Sequence, residues 1–345
     1  MKKTFAIMIV ISFLFISCSK TNNTPEWVIY NTENSDLPDN RLTCIAIEEN
    51  GTKWIGTQYE GLVKLENNAW TIYNSSNSIL NAEYIWDITI DNYNRKWIIT
   101  KDHSEDGELI CISENTWTNY NDLYDLDNLH MRSVAIDIDN SIWIVTRFNG
   151  IVHIDGENVT IYNDDDLGIT VNYYFCINID SNGIKWIGTS SGLVNYNNID
   201  WTIFNIENSD IPDNKVYNIL VENCETRWLA CNGLTAYNEL SWTNYTPENS
   251  GLPELGVRTI CIDGFGTKWI GTDDFIDYDY HGGLIKYDGS TWITYRTENS
   301  GLPDNNVFDI AIDNYDTIWI CTDNGLAAFY ESNNTTSNIV EYQNH

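Results

Sequence analysis

The sequence predicts an all-β fold, a single seven-bladed β-propeller of four-stranded blades. Three observations predict it. A Trp-Ile-Gly-Thr motif or a close variant recurs seven times, at Trp54, Trp97, Trp143, Trp186, Trp228, Trp269 and Trp319. The copies lie 43, 46, 43, 42, 41 and 50 residues apart, a spacing of about 40–50 that suits propeller blades. A second series, Trp27, Trp70, Trp117, Trp201, Trp242 and Trp292, alternates with the first, and each member has an aromatic three residues on. Val159 stands where one unit has lost this Trp. Finally, no stretch beyond the leader sustains helical periodicity.

The chain divides in order. Residues 1–17 read as a signal peptide: Lys2 and Lys3, then an apolar run from Phe5 to Ile16. That run is shorter than the ~20 residues a bilayer span needs. Phe15-Ile16-Ser17-Cys18 resembles a bacterial lipobox, which implies cleavage before Cys18 and lipid on its sulfur. Residues 18–25 would then be a lipid-attached tether. Ser19 and the residues after it lack an inner-membrane retention signal and an acidic export run, so the outer membrane facing the periplasm is expected.

Residues 26–331 hold the repeats. Each unit opens with an apolar strand ending in an acid, such as Ile45-Ala46-Ile47-Glu48. A tight turn, the Trp motif, a Gly-led strand and the second Trp strand follow. Short runs of β-branched and aromatic residues bounded by Gly, Asn and Asp read as strands. The repeats open on a fourth-type strand at Trp27–Tyr30 and close on a third-type strand at Gly325–Tyr330, so the N-terminal strand is expected to complete the last blade. Residues 332–345 read as a flexible tail.

Most recurring residues have fold roles. The tryptophans are core. The acids Glu48, Asp91, Asp137, Asp180, Glu222, Asp263 and Asp313 occur in every unit, which points to turn capping rather than catalysis. Asn34-Ser35-Asp36-Leu37-Pro38-Asp39-Asn40 recurs at Asn208 and Asn299 as a fixed connector with an apolar plug. The cysteines other than Cys18 stand where sibling units carry small residues, and no Cys-x-x-Cys occurs. Asp164-Asp165-Asp166 lacks calcium-loop spacing and reads as solvated loop.

The unit pattern, an apolar strand ending in Asp, then x-x-Gly-x-Lys-Trp-Ile-Gly-Thr-x-x-Gly-Leu, resembles the two-component regulator propeller repeat. The resemblance runs from about Glu26 to Glu331. It implies a periplasmic sensor propeller of the kind found in bacterial hybrid histidine kinases, many of which detect glycan fragments. This sequence carries no kinase or DNA-binding segment.

A formal charge of −32 excludes nucleic acid as a partner, because phosphate binding needs a basic surface. Function is then expected where the fourth-to-first and second-to-third loops gather. Two second-to-third loops are enlarged, Lys101 to Glu108 with His103, and Asp273 to Gly282 with Phe275, Tyr278, Tyr280 and His281. Arg41, Arg132, Arg147 and Arg258, four of seven arginines, should share that face. Tyr59, Tyr84, Trp86, Phe148, Tyr173, Tyr174, Tyr217 and Phe308 are the aromatic candidates. Aromatic rings stack on sugars, and Arg forks match carboxylates and sulfates. The expected function is a non-catalytic sensor or scaffold, binding an acidic oligosaccharide, a peptide or a partner envelope protein. The alternative is a lyase or hydrolase using His and carboxylates on the same face. No catalytic residue, cofactor or metal is assigned, and contact with membrane is expected through the lipid alone.

Overall fold

In the computed structural model, seven four-stranded antiparallel sheets stand in a ring. The structure describes residues 26–102, 107–222, 225–273 and 282–331. The leader, Cys18, the tether and the tail lie outside these residues.

Blade 1 is made of Leu42–Ile47, Lys53–Thr57, Leu62–Glu66 and Ala69–Tyr73. Blades 2 to 6 repeat this inside-to-outside order. In blade 7 the strand Glu26–Tyr30 pairs with Gly325–Tyr330, so the N-terminal strand supplies the outermost position as expected. The ring is closed by hydrogen bonds within one sheet, which removes a free junction between first and last blades.

Each first-series Trp is buried, whereas the second series is only partly buried at the outer edge. The second series works between blades. Trp201 packs edge-on against Tyr162 of the preceding blade at 5.3 Å, and Trp242 does the same to Phe204 at 5.8 Å. Where Val159 breaks the series, the chain compensates. Tyr120 leads into a short helix, Tyr120–Tyr124, and stacks on Tyr124 at 5.5 Å. The Tyr124 hydroxyl donates to the Gly156 carbonyl of blade 3 at 2.9 Å. A helical turn thus fills the gap left by the missing indole.

Four of the seven recurring acids, Asp91, Asp180, Asp263 and Asp313, cap their turns as the repeat predicts, each accepting two backbone amides, whereas Asn50 and Asp139 take that place in the turns after Glu48 and Asp137. Asp263 accepts from the Phe265 and Thr267 amides at 2.9 Å each. The recurring acids also do two things that spacing alone did not reveal. Each of six acids accepts the indole N–H six residues on, as in Trp54 to Glu48 at 2.6 Å and Trp319 to Asp313 at 2.9 Å. Several also hold a cation from the next blade: Lys96 to Glu48, Lys185 to Asp137, Arg227 to Asp180, Lys268 to Glu222 and Lys53 to Asp313. The lysine of Lys-Trp-Ile-Gly-Thr is therefore a bolt between blades. Connector plugs Leu37, Leu80, Ile211, Leu252 and Leu302 are buried between neighbouring sheets.

Asp164–Leu167 is one short helical turn capped by Asn163, where the sequence reads as loop. The six described cysteines, Cys44, Cys111, Cys176, Cys231, Cys261 and Cys321, are free, and burial pushes their thiols up.

Candidate functional site

Seven inner strands surround the central channel. In six of them the pairing to the second strand skips one residue near its start. The skipped residues are Thr43, Trp86, Arg132, Phe175, Arg258 and Phe308. Tyr217 holds the same place in blade 5, just before Asn218–Val221. A bulge bends its strand and re-aims one side chain away from the ladder. Here it does so once per blade, so a ring of seven side chains forms at one mouth of the channel.

The ring has two characters. On one part of it, cations lie on aromatic faces. The Arg132 guanidinium sits over Trp86 at 4.3 Å, and Arg258 over Phe308 at 4.7 Å. Lys101 is 4.7 Å from the Trp86 ring and 5.7 Å from Tyr84. Burial, then the nearby Arg132 and Arg147, pull the Lys101 ammonium below its ordinary value. Tyr84 is raised, chiefly by burial, although Arg258 and Arg132 both act to lower it. Those two arginines come from blades 3 and 6, and both act on the Tyr84 phenol of blade 2.

Blades 3 to 5 carry an aromatic stripe. Phe148 meets Tyr173 at 5.4 Å, Tyr173 meets Phe175 at 6.3 Å, and Phe175 meets Tyr217 at 4.9 Å. Arg147 lies over Phe148 at 4.9 Å and Tyr173 at 5.5 Å. Phe148, Tyr173 and Tyr217 are exposed.

Two carboxylates sit in the throat, one residue below the bulges. Asp87 accepts from the Val134 amide at 3.3 Å, and Asp309 from the Ile45 amide at 2.8 Å and the Thr259 hydroxyl at 3.1 Å. Burial, and for Asp87 also the charge of Asp309, pushes each of them up to about 6. Above them, Arg41, Tyr84, Trp86, Arg258 and Phe308 line a pocket of only about 40 Å³. That is room for a few waters. At the opposite end a wider cavity of about 210 Å³ opens among Thr89, Asp91, Ala135, Asp137 and Asn178.

The structure thus brings together Arg132, Arg147, Arg258, Tyr84, Trp86, Phe148, Tyr173, Tyr217 and Phe308. Arg41 is at the edge of the same mouth. It donates to the Tyr59 hydroxyl at 3.2 Å and pairs with Asp323 at 3.4 Å. Arg258 also pairs with Asp273 at 2.8 Å. Tyr174 does not belong to the mouth. It is fully buried, and its hydroxyl donates to Asp164 at 3.2 Å. The reason is register: Tyr174 is paired in the ladder and faces the inter-blade core, while Phe175, the bulge residue, takes the mouth position. His103, Phe275, Tyr278, Tyr280 and His281 lie outside the described residues.

Sequence reasoning missed Phe175, Thr43 and Lys101. A signal for the first two was present. Every bulge residue, Thr43 through Phe308, stands five positions before the recurring acid of its unit. Lys101 had no such marker, because it lies where an enlarged loop departs.

Among the described residues, no cluster of three His, Cys, Asp or Glu is placed to hold a metal ion. No helix among them is long and apolar enough to cross a membrane.

The two component regulator propeller model matches residues 301–324. That stretch of the last blade therefore matches the two component regulator propeller repeat. Among solved structures, it is similar to the extracellular domain assigned to a hybrid two component system from B. thetaiotaomicron, with 21% identity and a TM-score of 0.74 over 94% of this chain. A second domain of that description, from the same organism, gives 17% identity and a TM-score of 0.66 over 88% of the chain. The chain spans less than half of each, 46% and 40% of their lengths. It is also similar to virginiamycin B lyase from Staphylococcus aureus, with 13% identity, a TM-score of 0.67, and coverage of 89% of this chain and 99% of the lyase. No curated protein matches it. These TM-scores establish a shared propeller fold.

Proposed function

We propose that this repeat propeller is a ligand-binding module of the bacterial envelope, and that its mouth takes an acidic oligosaccharide. The observation that carries this reading is the bulge ring. In a chain with 50 acidic and 18 basic residues, it gathers Arg132, Arg258 and Lys101 on aromatic faces, beside an exposed aromatic stripe. A sugar acid supplies both complements: a flat face for stacking and an anion for a guanidinium. An acidic peptide would satisfy the cations but make less use of the stripe.

The repeat's occurrence in sensor propellers supports a binding role, and the neighbouring hybrid-system domains agree with it. The leader and Cys18 support anchoring by lipid, with the outer membrane as location. Metabolic labelling with a fatty-acid analogue, lost in Cys18→Ala, tests the anchor. The lyase reading would need a histidine and a carboxylate together at the mouth, and its two candidate histidines lie outside the described residues.

The test of the ligand is a screen of acidic glycans and acidic peptides by calorimetry. Arg132→Ala and Arg258→Ala should each weaken glycan binding about tenfold or more, the ~1.5–3 kcal/mol of a charge-assisted hydrogen bond. Absence of any acidic glycan binding to the wild-type chain would remove the proposal.

A further inference from the structure

Six large apolar side chains stand far out of the surface: Tyr93, Ile138, Ile199, Leu240, Phe265 and Tyr315, with exposures of 68, 69, 82, 95, 75 and 75%. No other large apolar side chain among the described residues exceeds 60%. Single exposed apolar residues are ordinary on protein surfaces. What needs explaining is that these six share one end of the molecule.

The register shows that they do. Tyr93, Ile138, Phe265 and Tyr315 occupy first-to-second turns of blades 2, 3, 6 and 7. Ile199 and Leu240 occupy third-to-fourth turns of blades 4 and 5. In blade 7, Ile318 is paired with Phe329, and Tyr330 with Glu26, so both kinds of turn and the start of the N-terminal strand lie at the same end. That end is opposite the bulge ring. One tip therefore projects from each of six successive blades, while blade 1 presents Glu49 and Asn50 there.

We infer that this face seats the propeller on the surface of a lipid bilayer, with the six tips reaching into its interfacial layer. The tips are spaced around a ring and separated by polar turn residues. Asn92 and Asn94 flank Tyr93, the exposed Asp139 follows Ile138, and Glu239 and Ser241 flank Leu240. A protein partner needs a contiguous apolar centre, which this ring lacks. A fluid interface needs no shape match and can wet each tip separately. The flanking carboxylates select against anionic lipid, so the surface implied is zwitterionic.

A second observation agrees. The N-terminal strand begins at Glu26 on this face, and the 25 residues before it include the apolar run Phe5 to Ile16. If the chain is anchored through them, as proposed above, this face is held nearest the membrane and the ligand mouth points away. The tips themselves do not depend on that anchor.

The experiment uses the full chain. An environment-sensitive fluorophore is placed on Leu240→Cys or Phe265→Cys at the tips, and on Tyr59→Cys at the mouth, with the unsubstituted chain as background. With phosphatidylcholine vesicles, the two tip labels should shift to the blue and be quenched by a bilayer-embedded quencher, while the mouth label stays in water. Replacing part of the lipid by phosphatidylserine should weaken the shift. In a Cys18→Ser chain, Ile138→Ser, Ile199→Ser, Leu240→Ser and Phe265→Ser together should lower vesicle partitioning at least tenfold, with the melting curve unchanged. This arm separates failure of the seating from failure of the lipid anchor. Tip labels that stay in water with vesicles present overturn the inference. So does a vesicle-free dimer, seen by sedimentation, that shields the same labels, because the face would then join two copies of the chain.

Discussion

The two ends of the channel use the same residue types to opposite effect. At the far end four cations, Lys96, Lys185, Arg227 and Lys268, are buried, and each is paired with an acid of the neighbouring blade. Arg227 has no exposed side-chain surface, donates to Asp180 at 3.1 Å and to Glu239 at 3.0 Å, and lies over Trp186 at 4.2 Å. At the mouth, Arg132 and Arg258 also lie on aromatic rings, but there a bulge has turned them out of the ladder. The contrast teaches that a cation–aromatic pair has no fixed meaning in this fold. Its position on the ladder decides whether it is buried between blades with an acid or stands at the channel mouth.

The largest expected effect comes from breaking the far end. Arg227→Ala leaves Asp180 buried without its cation. Loss of one partner of a buried pair costs about 3–5 kcal/mol. Urea unfolding should show that loss, and a change under 1 kcal/mol would mean that the bolt between blades is ornamental.

The outer edge gives a smaller effect. Tyr124→Ala removes the stacked ring and the hydroxyl that stand in for the missing Trp at Val159. We expect a loss of about 1–2 kcal/mol, with Tyr124→Phe recovering the ring part. Equal losses for both variants would place all of the contribution in the hydroxyl.

The carboxylates sharpen the comparison through pH. At the far end, burial acts to raise Glu48, but hydrogen bonds from Asn94, Trp54 and Lys96 outweigh it and hold it below the ordinary range. Burial of Asp91 is likewise outweighed, by Trp97 and Arg95. Their stabilisation is present above the unfolded-state value and is lost as pH falls through the lower folded value. In the throat the sign reverses. Burial pushes Asp87 and Asp309 up to about 6 in the folded chain, from the ordinary 3.8. Their ionisation begins to oppose folding above the unfolded value and does so in full above about 6. These two groups should therefore lower the melting temperature as pH rises from about 4 to about 6, and add no further slope above that. The double variant Asp87→Asn, Asp309→Asn should flatten that fall. A fall that keeps its slope in the variant contradicts the assignment to the throat.

The smallest effect on stability is expected at the mouth. Arg258→Ala removes a partly exposed pair with Asp273 and should cost at most about 1 kcal/mol, while it weakens ligand binding. The same substitution thus separates the two ends: Arg227 should register in unfolding and Arg258 in binding.

Much of this was legible in the residues. Trp54 through Trp319 counted the blades, and Trp27 and Gly325 located the closure. Arg132, Arg258, Trp86 and Phe308 were legible as a shared face because they sit at the starts of inner strands. Tyr174 was misread because it is adjacent to the correct residue. Whether position 174 or 175 faces the mouth depends on a one-residue skip in the ladder, and side chains alternate along a strand. The use of Glu48 and its siblings as acceptors for Trp and Lys was not legible either, because Lys96 reaches Glu48 only after blade 2 packs on blade 1.

By itself, the sequence determined the architecture: seven repeats, four strands each, closed by the first strand. Periodicity is a property of the chain, and a repeat that cannot bury its own face must stack on its neighbours. Only the tertiary structure decided which side chains meet. The bulge ring, the cations carried from one blade to the next, and the apolar tips at one end all join residues 25 or more positions apart. Their partners come from different blades, so their contacts exist only when the ring is complete.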